Sequence, residues 1–256
     1  MSERPIVLDV SELSVRFGGL TAVSDLSFSV RQGEVFTMMG PNGAGKTTAF
    51  NAIGGFVRAS AGRVRFMDRD LIGLAPEKIA TFGIRRTFQN NGILREMTVL
   101  ENVLTGLELD TPSTFWGAAL GLPGSGRAER GAVRKARHML AEMGIADLEQ
   151  RMAGDLSFGQ QRLVEIARAL VAGARLIMLD EPAVGLSPSE RMGLADTLRQ
   201  LAATGITILL VEHVQDLVMA VSDQVLVLNY GKRIALCEPA EVKNNPEVLE
   251  AYLGHA

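Results

Sequence analysis

The sequence predicts an α/β protein built on a parallel sheet, and three observations predict it. Strand-like apolar runs, EVFTMMG (34–40), RLIMLDE (175–181), ITILLVEH (206–213) and QVLVLNYG (224–231), alternate with helix-like stretches, the pattern left by helices that cross over a parallel sheet. The first of these runs leads into GPNGAGKTT (40–48), which satisfies G-x-x-x-x-G-K-[ST] in the strand-then-helix context that the motif demands. The first thirty residues, in contrast, alternate apolar with polar and read as an antiparallel β-layer beside the main sheet.

The middle of the chain breaks this rhythm. TVLENVLTGLEL (98–109) opens with Thr98 followed by Glu101, a capping-box pattern that predicts a helix. A Gly/Pro/Ser-rich loop follows over about 110–126, and then 127–143 sets Val133, Ala136, Leu140 and Met143 on one helical stripe with basic residues opposite. The expected organisation is one domain spanning 1–256, with an α/β core of 1–89 and 159–256 interrupted by a helical subdomain at 90–158.

Composition narrows the function classes. The chain has 256 residues, 47% hydrophobic and 21% charged, with a net charge of −3, so no global basic field attracts nucleic acid or acidic lipid. A single cysteine, Cys237, excludes an internal disulfide and suits a reducing compartment. The opening MSERPIVLDV has no apolar core of signal-peptide length, and the apolar run FWGAALGL (115–122) is far too short to span a membrane.

The chemistry-bearing residues start with the phosphate loop. Its glycines let backbone N–H groups point inward as an anion nest at a helix start. Asn42, Gly43, Ala44, Gly45, Lys46, Thr47 and Thr48 are the expected nucleotide contacts, with Lys46 reaching the β- and γ-phosphates and the Thr47 hydroxyl binding Mg²⁺. Asp180 ends an apolar strand, where such sheets place ligand contacts, and is the expected partner of the hydrated Mg²⁺. Glu181 follows at once. Two adjacent carboxylates at a strand end repel each other, and a base that polarises the attacking water justifies the arrangement where a solvated acidic turn would not need it.

His213 ends the next apolar strand at the same sheet edge and would hydrogen-bond the γ-phosphate or the attacking water; alone, it would read as a structural histidine. Gln89, after another short strand, would contact Mg²⁺ or the water through its amide. Phe17 precedes a glycine pair and would stack on an adenine ring, worth roughly 1–3 kcal/mol; core packing is its competing reading. No N-K-x-D guanine-reading motif occurs, which favours ATP over GTP.

DLSFGQQRLVEIARAL (155–170) starts an amphipathic helix with a hydroxyl-and-glycine turn, more than a hundred residues after the phosphate loop. A helix N-terminus offers an anion about 0.3–1 kcal/mol, whereas micromolar binding needs about 8 kcal/mol. Ser157 and Gly159 therefore complete a site built elsewhere, and the expected geometry is a head-to-tail pair of chains closing on two ATP molecules.

These motifs, in this order, resemble the ATPases of ABC transporters: an aromatic, the phosphate loop, a glutamine, LSFGQ (156–160), an acidic strand and a histidine. The resemblance covers nearly the whole chain. It implies a P-loop NTPase fold with an antiparallel β-layer and a helical subdomain carrying the signature. It also implies that Ser157, Gly159 and Gln160 contact the γ-phosphate of ATP on a partner subunit, and that Gln89 couples hydrolysis to a membrane permease docked on the helical subdomain. Two positions depart from the family pattern: Phe158 stands where glycine is commonest in the signature, and Ser187 where many members carry aspartate.

A closer likeness lies in RTFQNNGILREMTVLENV (86–103), the long insertion with FWGAALGLP, EPAVGLSP (181–188) and NNPEVLEAYLG (244–254), which together resemble the LivG-type ATPase of branched-chain amino acid importers. That resemblance implies two permease subunits, a second and similar ATPase, and an extracytoplasmic substrate-binding protein, with the chain held at the cytoplasmic face of the membrane. Relatives of the type also serve urea, amides and aromatic acids. An ATPase of a lipopolysaccharide-type exporter, assembled as a homodimer, is the alternative; a soluble ABC ATPase acting on nucleic acid fits poorly with the acidic charge. Trp116, in the apolar loop, is read as a local core cover or as part of the permease-docking surface.

Overall fold

A computed structural model of the chain describes residues 4–87, 92–107 and 125–253. In chain order the first half contains β1 (Ile6–Phe17), β2 (Leu20–Arg31), β3 (Val35–Met39), α1 (Lys46–Ile53), β4 (Ala61–Phe66), β5 (Arg69–Asp70), α2 (Pro76–Ala80) and β6 (Ile84–Arg86). Then come α3 (Val99–Thr105), α4 (Ser125–Glu142), α5 (Phe158–Leu170), β7 (Leu176–Asp180), α6 (Pro188–Ala203), β8 (Thr207–Val211), α7 (Gln215–Val221), β9 (Gln224–Asn229), β10 (Lys232–Cys237), α8 (Pro239–Val242) and α9 (Pro246–Leu253).

Two sheets result. The central one has the order β10-β9-β3-β8-β7-β6, parallel throughout except for the β9–β10 hairpin. All five residues of β3, β7 and β8 are buried, which is why they read as continuous apolar runs instead of alternating ones. Their faces still separate with period two. Ile177 and Leu179 enter one core with the helices α5 and α6, while Leu176 and Met178 enter another with α1 and the β-layer.

That β-layer is antiparallel, in the order β2-β1-β4-β5. β1 and β2 match the expected layer. β4 and β5 extend it unannounced, because β4 buries only Val64 and Phe66 and β5 is exposed. Phe28 of β2 stacks on Phe36 of β3 with ring centroids 4.9 Å apart, joining the layer to the central sheet and fixing where the phosphate loop emerges.

The expected helices of the middle segment form. Thr98 caps α3 with the reciprocal Glu101 bond that the sequence predicts, and the helix ends at Thr105, four residues earlier than expected. Ala136, Leu140 and Met143 are buried as one stripe, with Val133 at its half-buried margin. They pack with Val99 and Val103 of α3 and Val164 of α5 in the same core that receives Ile177. Gln89 and Trp116 lie outside the described residues. Among the described residues, no helix is long and apolar enough to cross a membrane.

Candidate functional site

β3 runs into a turn that only glycine completes without strain. Gly43 and Gly45 have φ of 78° and 97°, and a Cβ on Gly45 would sit 2.5 Å from the carbonyl oxygen of Ala22. The loop therefore packs its backbone against β2 while α1 starts directly at Lys46. This N-terminus has no side-chain cap, leaving first-turn N–H groups for an anion.

A cleft of about 560 Å³ opens over this turn. Phe17, Asn42, Gly43, Ala44, Gly45, Lys46, Thr47, Thr48 and Glu181 line it, as the sequence predicts. Phe17 is half exposed at the rim, not packed in the core. Leu20, Thr21, Ala22, Tyr230 and Gly231 also line the cleft, and no motif announced them; Tyr230 and Gly231 form the β9–β10 turn, which Gly231 N–H ties to the Ala44 carbonyl.

Lys46 is nearly buried, and its ammonium donates to the carbonyls of Gly40 (2.7 Å) and Pro41 (2.9 Å). Burial lowers its pKa, against the opposing pull of Glu181 and Asp180. The lysine is thus held over the loop, within the electrostatic reach of Glu181 and Asp180.

Asp180 closes β7 and is buried, and burial raises its pKa even though Arg86 lowers it. Its Oδ2 accepts from Arg86 at 3.0 Å, while its Oδ1 is buried without a hydrogen-bond partner among the described residues. A hard cation or its water would complete that oxygen, so the donor set fits Mg²⁺ with the Thr47 hydroxyl on the cleft wall. The sequence reading missed Arg86. Its guanidinium lies over the rings of Phe50 (4.7 Å) and Phe56 (5.0 Å) and also donates to Asn51.

Glu181 continues the strand pairing by one bond, donating its N–H to Val211 at 2.8 Å, and then takes φ of 48°. That left-handed turn is costly for a non-glycine residue, on the order of 1–3 kcal/mol, and it directs the side chain into the cleft. His213 Nδ1 lies 3.6 Å from Glu181 Oε1. The group that arranges this pair is Glu212, fully buried and also missed. It accepts from the N–H groups of His213 (2.9 Å) and Val214 (3.1 Å) through one oxygen and from Ala183 (3.1 Å) through the other. One carboxylate thereby clips the turn after Glu181 to the turn carrying His213.

Ser157, Gly159 and Gln160 do not line the cleft. Ser157 caps α5 and forms a capping box with Gln160. The two departures from the family pattern have structural accounts. Phe158 is 60% exposed and belongs to no core cluster. Ser187 caps α6 with Glu190 in a further capping box, the job an aspartate would also do.

Glu190 Oε1 accepts from Ser157 and Gly159, while its Oε2 accepts from Ser187. These bonds, led by the Ser187 N–H, hold its pKa down from 4.5 to about 2. A depressed carboxylate contributes stability above its unfolded pKa and loses it as pH falls through the folded value. The urea midpoints of wild type and Glu190→Gln are therefore expected to differ above about pH 5 and to converge as pH falls toward 2; parallel curves across that window would contradict the account.

Known proteins are similar to this chain along nearly its whole length. The family profile described as "ABC transporter" matches residues 23–184, and one described as "Branched-chain amino acid ATP-binding cassette transporter" matches residues 238–256. The chain is 42% identical over 99% of both lengths to a high-affinity branched-chain amino acid transport ATP-binding protein, BraF, of Pseudomonas aeruginosa. It is 40% identical to the LivG protein of Escherichia coli, over 98% of both chains. Among solved structures, the ADP conformation of an ATP-binding cassette of an ABC transporter superposes with a TM-score of 0.85 at 35% identity, covering 98% of this chain and 99% of that one. A nucleotide-free cassette superposes with a TM-score of 0.84 at 36% identity, over 97% and 99%. A phosphate loop after β3, an acid and a histidine facing each other beyond the ends of neighbouring strands, and likeness along nearly the full length lead to one conclusion: the chain belongs to the ABC transporter family, as an ATP-binding cassette.

Proposed function

We propose that the chain hydrolyses ATP to power the import of branched-chain or related amino acids through partner permeases. The observation that carries the catalytic half is the meeting of Lys46 and Glu181 in one cleft, with His213 Nδ1 3.6 Å from Glu181 and Asp180 buried at the end of β7. The names of the relatives and the match over residues 238–256 support the substrate class.

In this reading Phe17 stacks on the adenine, and the N–H groups of 42–48 with Lys46 hold the phosphates. Glu181 accepts a proton from the attacking water while His213, held by Glu212, orients that water or the γ-phosphate. Thr47, Asp180 and Gln89 would hold Mg²⁺, which supplies charge neutralisation for the phosphates when bound. Ser157, Gly159 and Gln160 meet the nucleotide of a second ATPase subunit, so that two nucleotides close the pair and hydrolysis reopens it. The unit formed by 90–158 is the docking face for two permease subunits, which receive solute from a binding protein and hold the cassette at the cytoplasmic membrane surface.

The test is uptake of labelled leucine, isoleucine and valine in cells lacking the chain, complemented by wild type or by Lys46→Ala, with a mild-detergent pull-down of the tagged chain. Restored uptake by wild type alone, with two multi-span proteins and a second ATPase recovered, is the expected result. Uptake unaffected by the deletion would overturn the substrate class, and recovery without any membrane protein would overturn the coupling.

A further inference from the structure

The start of α5 already holds an anion, and the chain supplies it. Glu190 lies in the first turn of α6. Its Oε1 accepts from the Ser157 hydroxyl at 2.8 Å and from the Gly159 N–H at 3.1 Å. Its Oε2 accepts from the Ser187 N–H and the Ser187 hydroxyl, both at 2.9 Å. One half-buried carboxylate thus takes four donors at the N-termini of two helices, of 13 and 16 residues. Those ends carry unsatisfied N–H groups and the positive pole of the helix dipole, both of which favour negative charge. The seat is closely fitted: a Cβ on Gly159 would lie 2.9 Å from Glu190 Cγ and Oε1.

We propose that Glu190 is a positioning residue for closure of the ATPase pair: its carboxylate occupies the seat on α5 that the γ-phosphate of the partner subunit's ATP takes, and it must leave before that phosphate can arrive. The inference rests on the role proposed above for Ser157 and Gly159. A carboxylate and a triphosphate repel each other and compete for the same two donors, so both cannot be bound. Leaving is a local event. The Oε2 bonds go to Ser187, the cap of the helix to which Glu190 belongs, so a side-chain rotation frees α5 without moving either helix. The open chain is thereby stabilised, and the ATP concentration needed for closure is set higher than the phosphate loop alone would require.

Glu190→Gln keeps the size of the side chain and removes its charge; Glu190→Ala removes the competitor altogether. In the assembled transporter, the ATP concentration for half-maximal hydrolysis is expected to fall about fivefold in both variants. The affinity of the lone chain for ATP, set by the phosphate loop, is expected to stay at the wild-type value. A residue that merely tied α5 to α6 would not lower that concentration on removal. A half-maximal concentration unchanged or raised in both variants overturns the proposal. Ser157→Arg, measured in parallel, separates the two levels. If it abolishes hydrolysis while the Glu190 variants behave as wild type, the Glu190 proposal fails and the site stands. If it leaves hydrolysis intact, no phosphate comes to α5, and the underlying reading fails with it.

Discussion

Glu181→Gln is expected to lower ATP turnover by about 10²- to 10⁴-fold, the usual contribution of a general base, while nucleotide still binds and the closed pair accumulates. The amide preserves the volume of the side chain and the left-handed turn at φ of 48°, so the fold and the cleft wall stay as they are. What disappears is the proton acceptor 3.6 Å from His213 Nδ1. In the proposed reading binding resides in Lys46 and the loop N–H groups, and the substitution leaves the loop backbone in place. The measurements are steady-state hydrolysis and size-exclusion of the ATP-bound chain with its partner. Hydrolysis within threefold of wild type, roughly 0.7 kcal/mol in the barrier, would remove Glu181 from its role.

The second large effect concerns Arg86. Arg86→Met is expected to destabilise the chain by about 3–5 kcal/mol, the cost of leaving one partner of a buried ion pair uncompensated. The side chains of Arg86 and Asp180 are 12% and 3% exposed, so solvent does little to screen the loss. The pH dependence has a defined sign. Burial already raises the Asp180 pKa, and Arg86 is the main force lowering it. Without the arginine the folded-state pKa rises further above the unfolded one, so the variant keeps more of its stability while the carboxyl is protonated and loses it as pH rises through that value. Urea unfolding across pH, with Asp180→Asn and the double variant completing a cycle, measures the coupling. If Mg²⁺ takes the Asp180 oxygen, magnesium and ATP together should stabilise the variant more than the wild type. A loss below about 1 kcal/mol at neutral pH would mean the pair is dispensable.

The residues legible in the sequence share one property: local chain geometry defines them. GPNGAGKTT declares its turn through glycines that tolerate positive φ. Asp180 declares itself by ending a fully buried strand, Glu181 and His213 by following one, and Thr98 by the Glu101 three residues on. What stayed hidden depends on partners far along the chain. Arg86 finds Asp180 across 94 positions, Glu212 reaches back 29 to Ala183, and Glu190 reaches back 33 to Ser157. Each looks like an ordinary charged residue until the sheet order brings its partner close. β4 and β5 were obscured for another reason: an edge of short, mostly exposed strands leaves little apolar periodicity to read.

The order of the central sheet has a consequence for how the molecule is made. β3, which carries the phosphate loop, is bordered by β8 on one side and β9 on the other. Its residues 35–39 pair with 208–211 and 224–227. At about 5–20 residues per second, the ribosome delivers those neighbours roughly 10–40 s after β3 itself. In that interval β1, β2, β4 and β5 have all their mutual partners within the first 70 residues, while the strand leading to the phosphate loop has both edges open. The nascent chain therefore carries an apolar, unpaired strand until residues 208–227 have been made, the kind of segment that chaperones shield, and the phosphate loop gains its supporting sheet only then.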